Sequence, residues 1–217
     1  MKVYFNLSIE GFSNCYVVTN EETKEALIID PGVITKEIIE QIERDKFKLV
    51  GVLITHNHKS HTRGLNTLRK IYSPRIYAAD YEVAGSDTFL LKGDGIIRVA
   101  GLSVGYMSVP GHSHDSLIYK IGQILFTGDV LTACLIGDTN SSYSKKTLLS
   151  NIKSKILSQQ TDILLMPGHG PPSSVLAERK FNKNFVERIE KNIIHTHMHT
   201  HVHPPYLKEL CPKSPIY

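Results

Sequence analysis

The sequence predicts an α/β protein of stacked layers, in which two β-sheets pack face to face with helices on their outer sides. Three observations predict it. Several short strand-like runs followed by a helical pattern occur in the first half of the chain, and the same succession returns in the second half. Elements that bury one face each find stable packing only as layers. At 217 residues, 41% of them hydrophobic and 21% charged, the chain is long enough for one domain with a sizeable core. Loops at one rim of such a sandwich would carry its chemistry.

Lys2 to Leu7, Asn14 to Thr19 and Glu25 to Asp30 are rich in Val, Ile, Leu, Tyr and Phe and are separated by Gly11 and by the polar turn at Asn20 to Thr23. They read as an antiparallel meander. Asp30-Pro31-Gly32 ends the third strand, and Thr35 then caps a helix with Ile38, Ile39 and Ile42 on one face. Leu49 to Ile54 is a buried strand, Gly64 to Tyr72 a helix with Leu65, Leu68 and Ile71 inward, and Arg75 to Ala79 the next strand. Ile96 to Val109 breaks at Ala100-Gly101 and Leu117 to Thr127 at Gly122-Gln123, so each reads as a hairpin. Ser144 to Leu157 is an amphipathic helix, Ile163 to Met166 a buried strand and Val175 to Ile194 a long final helix. The expected division is a catalytic domain over residues 1–194 and a tail over 195–217.

The formal net charge of +4 is modest, and no dense block of lysine and arginine forms. Nothing in it calls for nucleic acid or a membrane surface, while a small anionic substrate is compatible. Met1 to Phe12 alternates polar and apolar residues, unlike a signal peptide, and no segment reaches transmembrane length. Cys15, Cys134 and Cys211 are odd in number and irregularly spaced, which argues against a disulfide framework and for a reducing, cytoplasmic setting. Oligomeric state is left open.

Thr55-His56-Asn57-His58-Lys59-Ser60-His61-Thr62-Arg63-Gly64 leaves the strand ending at Ile54. On extended backbone His56 and His58 point the same way, and His61, beyond a turn, can face a second position. Taken alone, this loop could equally be a polar, His-rich surface loop. Three more loops leave predicted strands with a ligand-type residue beside glycine: Pro110-Gly111-His112, Thr127-Gly128-Asp129 and Pro167-Gly168-His169. Glycine lets the backbone turn sharply beside a ligand. Together the four loops offer His56, His58, His61, His112, Asp129 and His169, enough nitrogen and oxygen for two metal positions sharing one carboxylate.

With these motifs in order, from Asn14-Cys15-Tyr16-Val17-Val18 through Asp30-Pro31-Gly32 to Gly168-His169-Gly170-Pro171-Pro172, the chain resembles the metallo-β-lactamase superfamily, and within it the short glyoxalase II-like hydrolases. The resemblance implies an αββα sandwich of two mixed β-sheets. It implies a first metal held by His56, His58, His112 and Asp129, and a second held by His61, Asp129 and His169. Zinc is the expected ion, one or two per chain, with iron and manganese open.

Two departures from the family pattern matter. Ser60 stands where the family's His-X-His-X-Asp-His motif has its aspartate, and a neutral hydroxyl is a poorer ligand for a divalent ion, so the second site is expected to be weaker. Asp138, in Ile136-Gly137-Asp138-Thr139-Asn140, stands where glyoxalase-like relatives commonly carry arginine, which argues against a glutathione thioester as substrate. Variable rim loops such as Asp87 to Gly95 and Ile136 to Ser144 would set specificity.

The expected activity is hydrolysis of a small ester or thioester, hydroxyacylglutathione hydrolase-like, since bound Zn²⁺ lowers the pKa of its water to about 7 and so supplies hydroxide. Asp129 or His114 would accept the hydrogen bond that the missing aspartate at position 60 would otherwise take. For His114 the alternative is an exposed loop histidine, and Asp115 reads as a turn residue. A mononuclear iron dioxygenase using His56, His112 and Asp129 is the second enzyme reading, because persulfide dioxygenases share the superfamily. A metal-binding or ligand-sensing protein without turnover is the third. The tail carries His195, His197, His199, His201 and His203 in strict alternation; it could bind metal ions along one side of an extended strand, or be a polar tail with no role.

Overall fold

The computed structural model describes residues 1–9, 11–83 and 88–186. The first sheet opens with the expected meander: β1 (Lys2–Leu7), β2 (Asn14–Asn20) and β3 (Glu25–Ile29) pair antiparallel. The helix α1 (Lys36–Glu43) then crosses over to β4 (Lys48–Leu53), which runs parallel to β3. The one-turn α2 (Lys59–Thr62) and α3 (Leu65–Ile71) lead to β5 (Arg75–Ala78), and β6 (Thr88–Leu90) completes a six-stranded mixed sheet in sequence order.

The second sheet begins with two hairpins, β7 (Gly95–Val99) with β8 (Leu102–Ser108) and β9 (Leu117–Ile121) with β10 (Ile124–Gly128). A small hairpin of β11 (Leu131–Thr132) and β12 (Leu135–Ile136) follows, then α4 (Ser142–Asn151), which runs on through a wider π-type turn at Ile152–Ile156. The strand β13 (Leu164–Pro167) adds parallel to β10, and β14 (Ser173–Ser174) forms the edge before α5 (Val175–Phe181).

Period-two alternation sorts the strand side chains into three apolar layers. Cys15, Val17, Ala26 and Ile28 face outward onto Ile38 and Ile42 of α1 and Leu65 and Leu68 of α3. Their sequence neighbours Tyr16, Val18, Leu27 and Ile29 face inward, where they meet Val104, Leu117, Tyr119 and Phe126 of the second sheet. The outer face of that sheet, with Ile118, Leu125 and Leu165, is covered by Leu148, Ile152, Ile156 and Val175. Helix, sheet, sheet and helix therefore stack as the sequence predicts.

Several local expectations need correction. Thr35 sits at the N-cap of α1 in extended conformation, but its side chain accepts no hydrogen bond from the helix, whereas Ser141 and Ser174 cap α4 and α5 by accepting from Ser144 N and Ala177 N. Ile71 ends its short helix 48% exposed rather than inward. Part of the rim loop expected over 87–95 is the strand β6. The long final helix is interrupted at Asn182, which takes φ −74° and ψ 108° after α5 ends at Phe181, and residues 183–186 are helical again. The remainder of that helix beyond Val186, the tail histidines His195 to His203, and Cys211 lie outside the described residues. Cys15 and Cys134 are free thiols, and no helix among the described residues is long and apolar enough to cross a membrane.

Candidate metal centre

All four ligand-bearing loops emerge at one rim of the sandwich. The loop after β4 brings His56, His58 and His61 from the first sheet, while the loops after β8, β10 and β13 bring His112, Asp129 and His169 from the second. In two groups, His56, His58, His112 with Asp129 and His61, Asp129 with His169, the potential ligand atoms all lie within 4.8 Å of one another. Asp129 is the hub. Its Oδ2 lies 3.6 Å from His56 Nε2, 3.7 Å from His112 Nε2 and 3.5 Å from His169 Nε2, and its Oδ1 lies 3.3 Å from His61 Nε2. His58 turns Nδ1 inward, 2.8 Å from His56 Nε2 and 3.3 Å from His112 Nε2.

The far nitrogens of the rings show why Nε2 faces the centre in four of them. His112 Nδ1 donates to the carbonyl of Asp138 at 2.9 Å, and His169 Nδ1 donates to the carbonyl of Phe12 at 2.9 Å. A carbonyl only accepts, so both rings carry their proton on Nδ1 and present a lone pair at Nε2. His56 Nδ1 lies 3.1 Å from Thr55 Oγ1, whose hydroxyl donates to Asp30 Oδ2 at 2.7 Å. Because that hydroxyl proton is committed to the carboxylate, the oxygen accepts from His56, again leaving Nε2 bare. Asp30 Oδ1 also accepts from Thr55 N at 2.8 Å, and Oδ2 sits 3.2 Å from His61 Nδ1. Asp30 ends the third strand at a left-handed φ of 50° and is buried.

The electrostatics follow from this packing. Burial, and next the charge on His61, push His56 down to about 2. Burial and then His112 lower His58. At His61 burial opposes a charge, but the carboxylates of Asp30 and Asp129 prevail and raise it to about 10. Burial alone would raise Asp129, yet His61, then His56 and His169, hold it well below the usual carboxylate range.

A divalent ion fits these residues. His61 Nε2 and Asp129 Oδ1 are buried and have no hydrogen-bond partner among the described residues, although they face each other. Buried polar atoms without partners are costly, and an ion that took the place of the His61 Nε2 proton would satisfy both that nitrogen and the carboxylate oxygen. With five imidazole nitrogens and one carboxylate converging, and the outer nitrogens of His56, His61, His112 and His169 held by hydroxyl, carboxylate and carbonyl oxygens, the donor set suits a first-row divalent metal.

The remaining expectations divide. Ser60 is half-buried beneath the turn between β1 and β2, where Gly11 approaches its Cβ. His114 joins neither ligand group; it is exposed and shares a depression of about 390 Å³ with His58, His112, Asn140, Tyr143 and Thr147. Asp115, expected as a turn residue, is 5% exposed and accepts from Asn57 N at 2.7 Å. Sequence reasoning also missed Asn14, whose Nδ2 donates to the carbonyls of Pro167 and Gly170 at 2.9 and 2.8 Å and so clamps the His169 loop. Asn14→Ala should cost about 2 kcal/mol by leaving the Gly170 carbonyl without this donor and the His169 loop unclamped, while the Tyr16 hydroxyl still donates to the Pro167 carbonyl at 2.6 Å. Thermal unfolding should then show a midpoint lower by about 6 °C, and an unchanged midpoint would remove Asn14 from this role.

A sequence model of the Metallo-beta-lactamase superfamily matches residues 9–169. The chain is 28% identical over 194 residues to the hydroxyacylglutathione hydrolase GloC of Haemophilus influenzae, covering 78% of this chain and 91% of that protein. It is 27% identical over 212 residues to a probable metallo-hydrolase of Streptococcus pyogenes, covering 85% of this chain and 90% of that one. Among solved structures, the B3 metallo-beta-lactamase BLEG-1 is similar at a TM-score of 0.74 and 25% identity, over 85% of this chain and 99% of that one.

Proposed function

The chain belongs to the metallo-beta-lactamase superfamily, and from that premise we propose that it is a metal-dependent hydrolase acting on a small ester- or thioester-type substrate. The observation that carries the proposal is the convergence of five imidazole nitrogens on Asp129, with the buried pair His61 Nε2 and Asp129 Oδ1 left for an ion to join. His56, His58, His112 and Asp129 would hold a first ion, and His61, Asp129 and His169 a second. When bound, a divalent ion acidifies a water toward neutral pH and polarises a substrate carbonyl.

The chain's own part is to fix direction. The carbonyls of Asp138 and Phe12 and the Thr55 hydroxyl keep three rings in the tautomer that presents Nε2. Asp129 reaches both groups through its two oxygens, so it would set the spacing between the ions. His114, exposed and lining the depression beside His58 and His112, would pass a proton between substrate and solvent. Ser60 contributes no carboxylate, so the second position has three ligands and should hold its ion less tightly than the first.

Elemental analysis of the full chain, purified without chelators and with the five tail histidines replaced by serine, tests this alongside hydrolysis of a thioester panel. About one tightly held zinc, with a second lost on dilution, and chelator-sensitive hydrolysis are expected. Ser60→Asp should tighten the second ion by at least about tenfold. Protein that retains no metal, or that holds a single iron and oxidises a persulfide without hydrolysing any thioester, would overturn the proposal.

A further inference from the structure

We propose that Asp115 is a positioning residue for the first metal group, setting the approach of His58 to His112 across the seam between the two sheets. The proposal rests on the metal-binding reading above and adds a residue outside the ligand set. His58 lies on the loop after β4 of the first sheet, and His112 on the loop after β8 of the second, yet the two facing nitrogens stand 3.3 Å apart. Something must tie the loops.

The Asp115 carboxylate does so with both oxygens. Oδ2 accepts from the backbone N–H of Asn57, the residue between His56 and His58, at 2.7 Å, while Oδ1 accepts from the hydroxyl of Ser113, next to His112. Asn57 is held on its other side, since its Nδ2 donates to Asp80 Oδ2 at 3.0 Å beyond β5. Behind this bridge a backbone hydrogen bond runs from Leu117 N to Thr55 O at 2.7 Å. Residue 57 is thus gripped from two directions, and its two histidine neighbours inherit the alignment.

Burying a carboxylate is unfavourable unless its lone pairs are used. Here one oxygen faces each ligand loop. A group of that length that accepts from both loops at once fixes their separation. Ligand-orienting contacts of this kind are worth roughly 10- to 100-fold in metal affinity.

Chelator competition on the zinc-loaded full chain tests the proposal, with parent and variants sharing the same tail. Asp115→Ala should weaken one zinc equivalent by about 10- to 100-fold. Asp115→Asn should restore it to within about threefold of the parent, because the amide oxygen can accept from Asn57 N–H while its NH₂ donates to the Ser113 hydroxyl oxygen. Ser113→Ala, which removes one of the two contacts, should weaken the same equivalent about threefold and decides the matter if Asp115→Ala does not fold. Unfolding midpoints of the metal-stripped variants separate loss of alignment from loss of fold. Affinity unchanged in Asp115→Ala, or in Ser113→Ala where that variant must stand in, would overturn the proposal. So would an Asp115→Asn variant as weak as Asp115→Ala, since the charge and not the bridge would then be responsible. A parent that retains no zinc would instead overturn the metal reading itself.

Discussion

Gly168→Ala should empty the second metal position and cut hydrolysis at least about a hundredfold. A Cβ at residue 168 would lie 2.3 Å from Asp129 Oδ1 and 2.7 Å from His61 Cε1. Those are the two groups whose facing atoms are left for an ion. The carboxylate cannot retreat without leaving the other histidines, because its second oxygen lies within 3.7 Å of His56, His112 and His169. Neither can the backbone yield easily: Gly168 N donates to Gly128 O at 2.8 Å, and Gly168 O accepts from Asn14 N at 2.7 Å. Overpacking a rigid site costs roughly 1–3 kcal/mol, a loss the domain can survive, so the variant should fold and lack metal. Elemental analysis after dialysis reads the result directly. A Gly168→Ala protein with the parent's metal content would show that Asp129 moves freely and is not the hub.

Two substitutions at Asp30 should have large effects on different properties. In Asp30→Ala the buried Thr55 N–H and hydroxyl both lose their acceptor. The cost should be about 3 kcal/mol, which would lower the unfolding midpoint by roughly 9 °C. Asp30→Asn has the same shape and can still bond Thr55, so it should retain most of that stability. Its polarity is wrong, however. An amide NH₂ facing Thr55 Oγ1 donates where the carboxylate accepted, so the hydroxyl must turn its proton toward His56 Nδ1. The His56 proton then moves to Nε2, the nitrogen that faces Asp129. Asp30→Asn should therefore fold nearly as well as the parent and bind the first ion at least about tenfold more weakly. Thermal unfolding and chelator competition on both variants separate stability from tautomer, and equal metal affinity in Asp30→Asn and the parent would refute the relay.

Much of this arrangement is legible in the sequence, for a physical reason. Each ligand-type residue follows an apolar run that must be a buried strand, and strand ends of stacked sheets meet at a rim. Alternation within those runs also sorts Tyr16 and Val18 from Cys15 and Val17 correctly. What the sequence hides are partners brought together only by the fold. Asp115 looks like a turn residue because its bond to Asn57 spans the two sheets. Asn14 looks like the polar start of a strand, yet its side chain serves a loop near the far end of the described chain. Gly168 suggests a sharp turn, although only Gly111 and Gly128 of the three ligand-loop glycines have positive φ; Gly168 is needed for space. Apolar periodicity runs the last helix straight through Asn182 because it does not register the local bond from Asn182 Nδ2 to Glu178 Oε2 that accompanies the break there.

The first sheet supplies His56, His58 and His61, and the second supplies His112, Asp129 and His169. An ion held by such a set is a rivet through two plates. It joins segments far apart along the chain, where closing the loop costs most conformational freedom, and so ties each half of the sandwich to the other. Binding energy spent there reinforces the join between the halves more than either half alone, so the chemistry and the cohesion of this protein draw on the same few atoms.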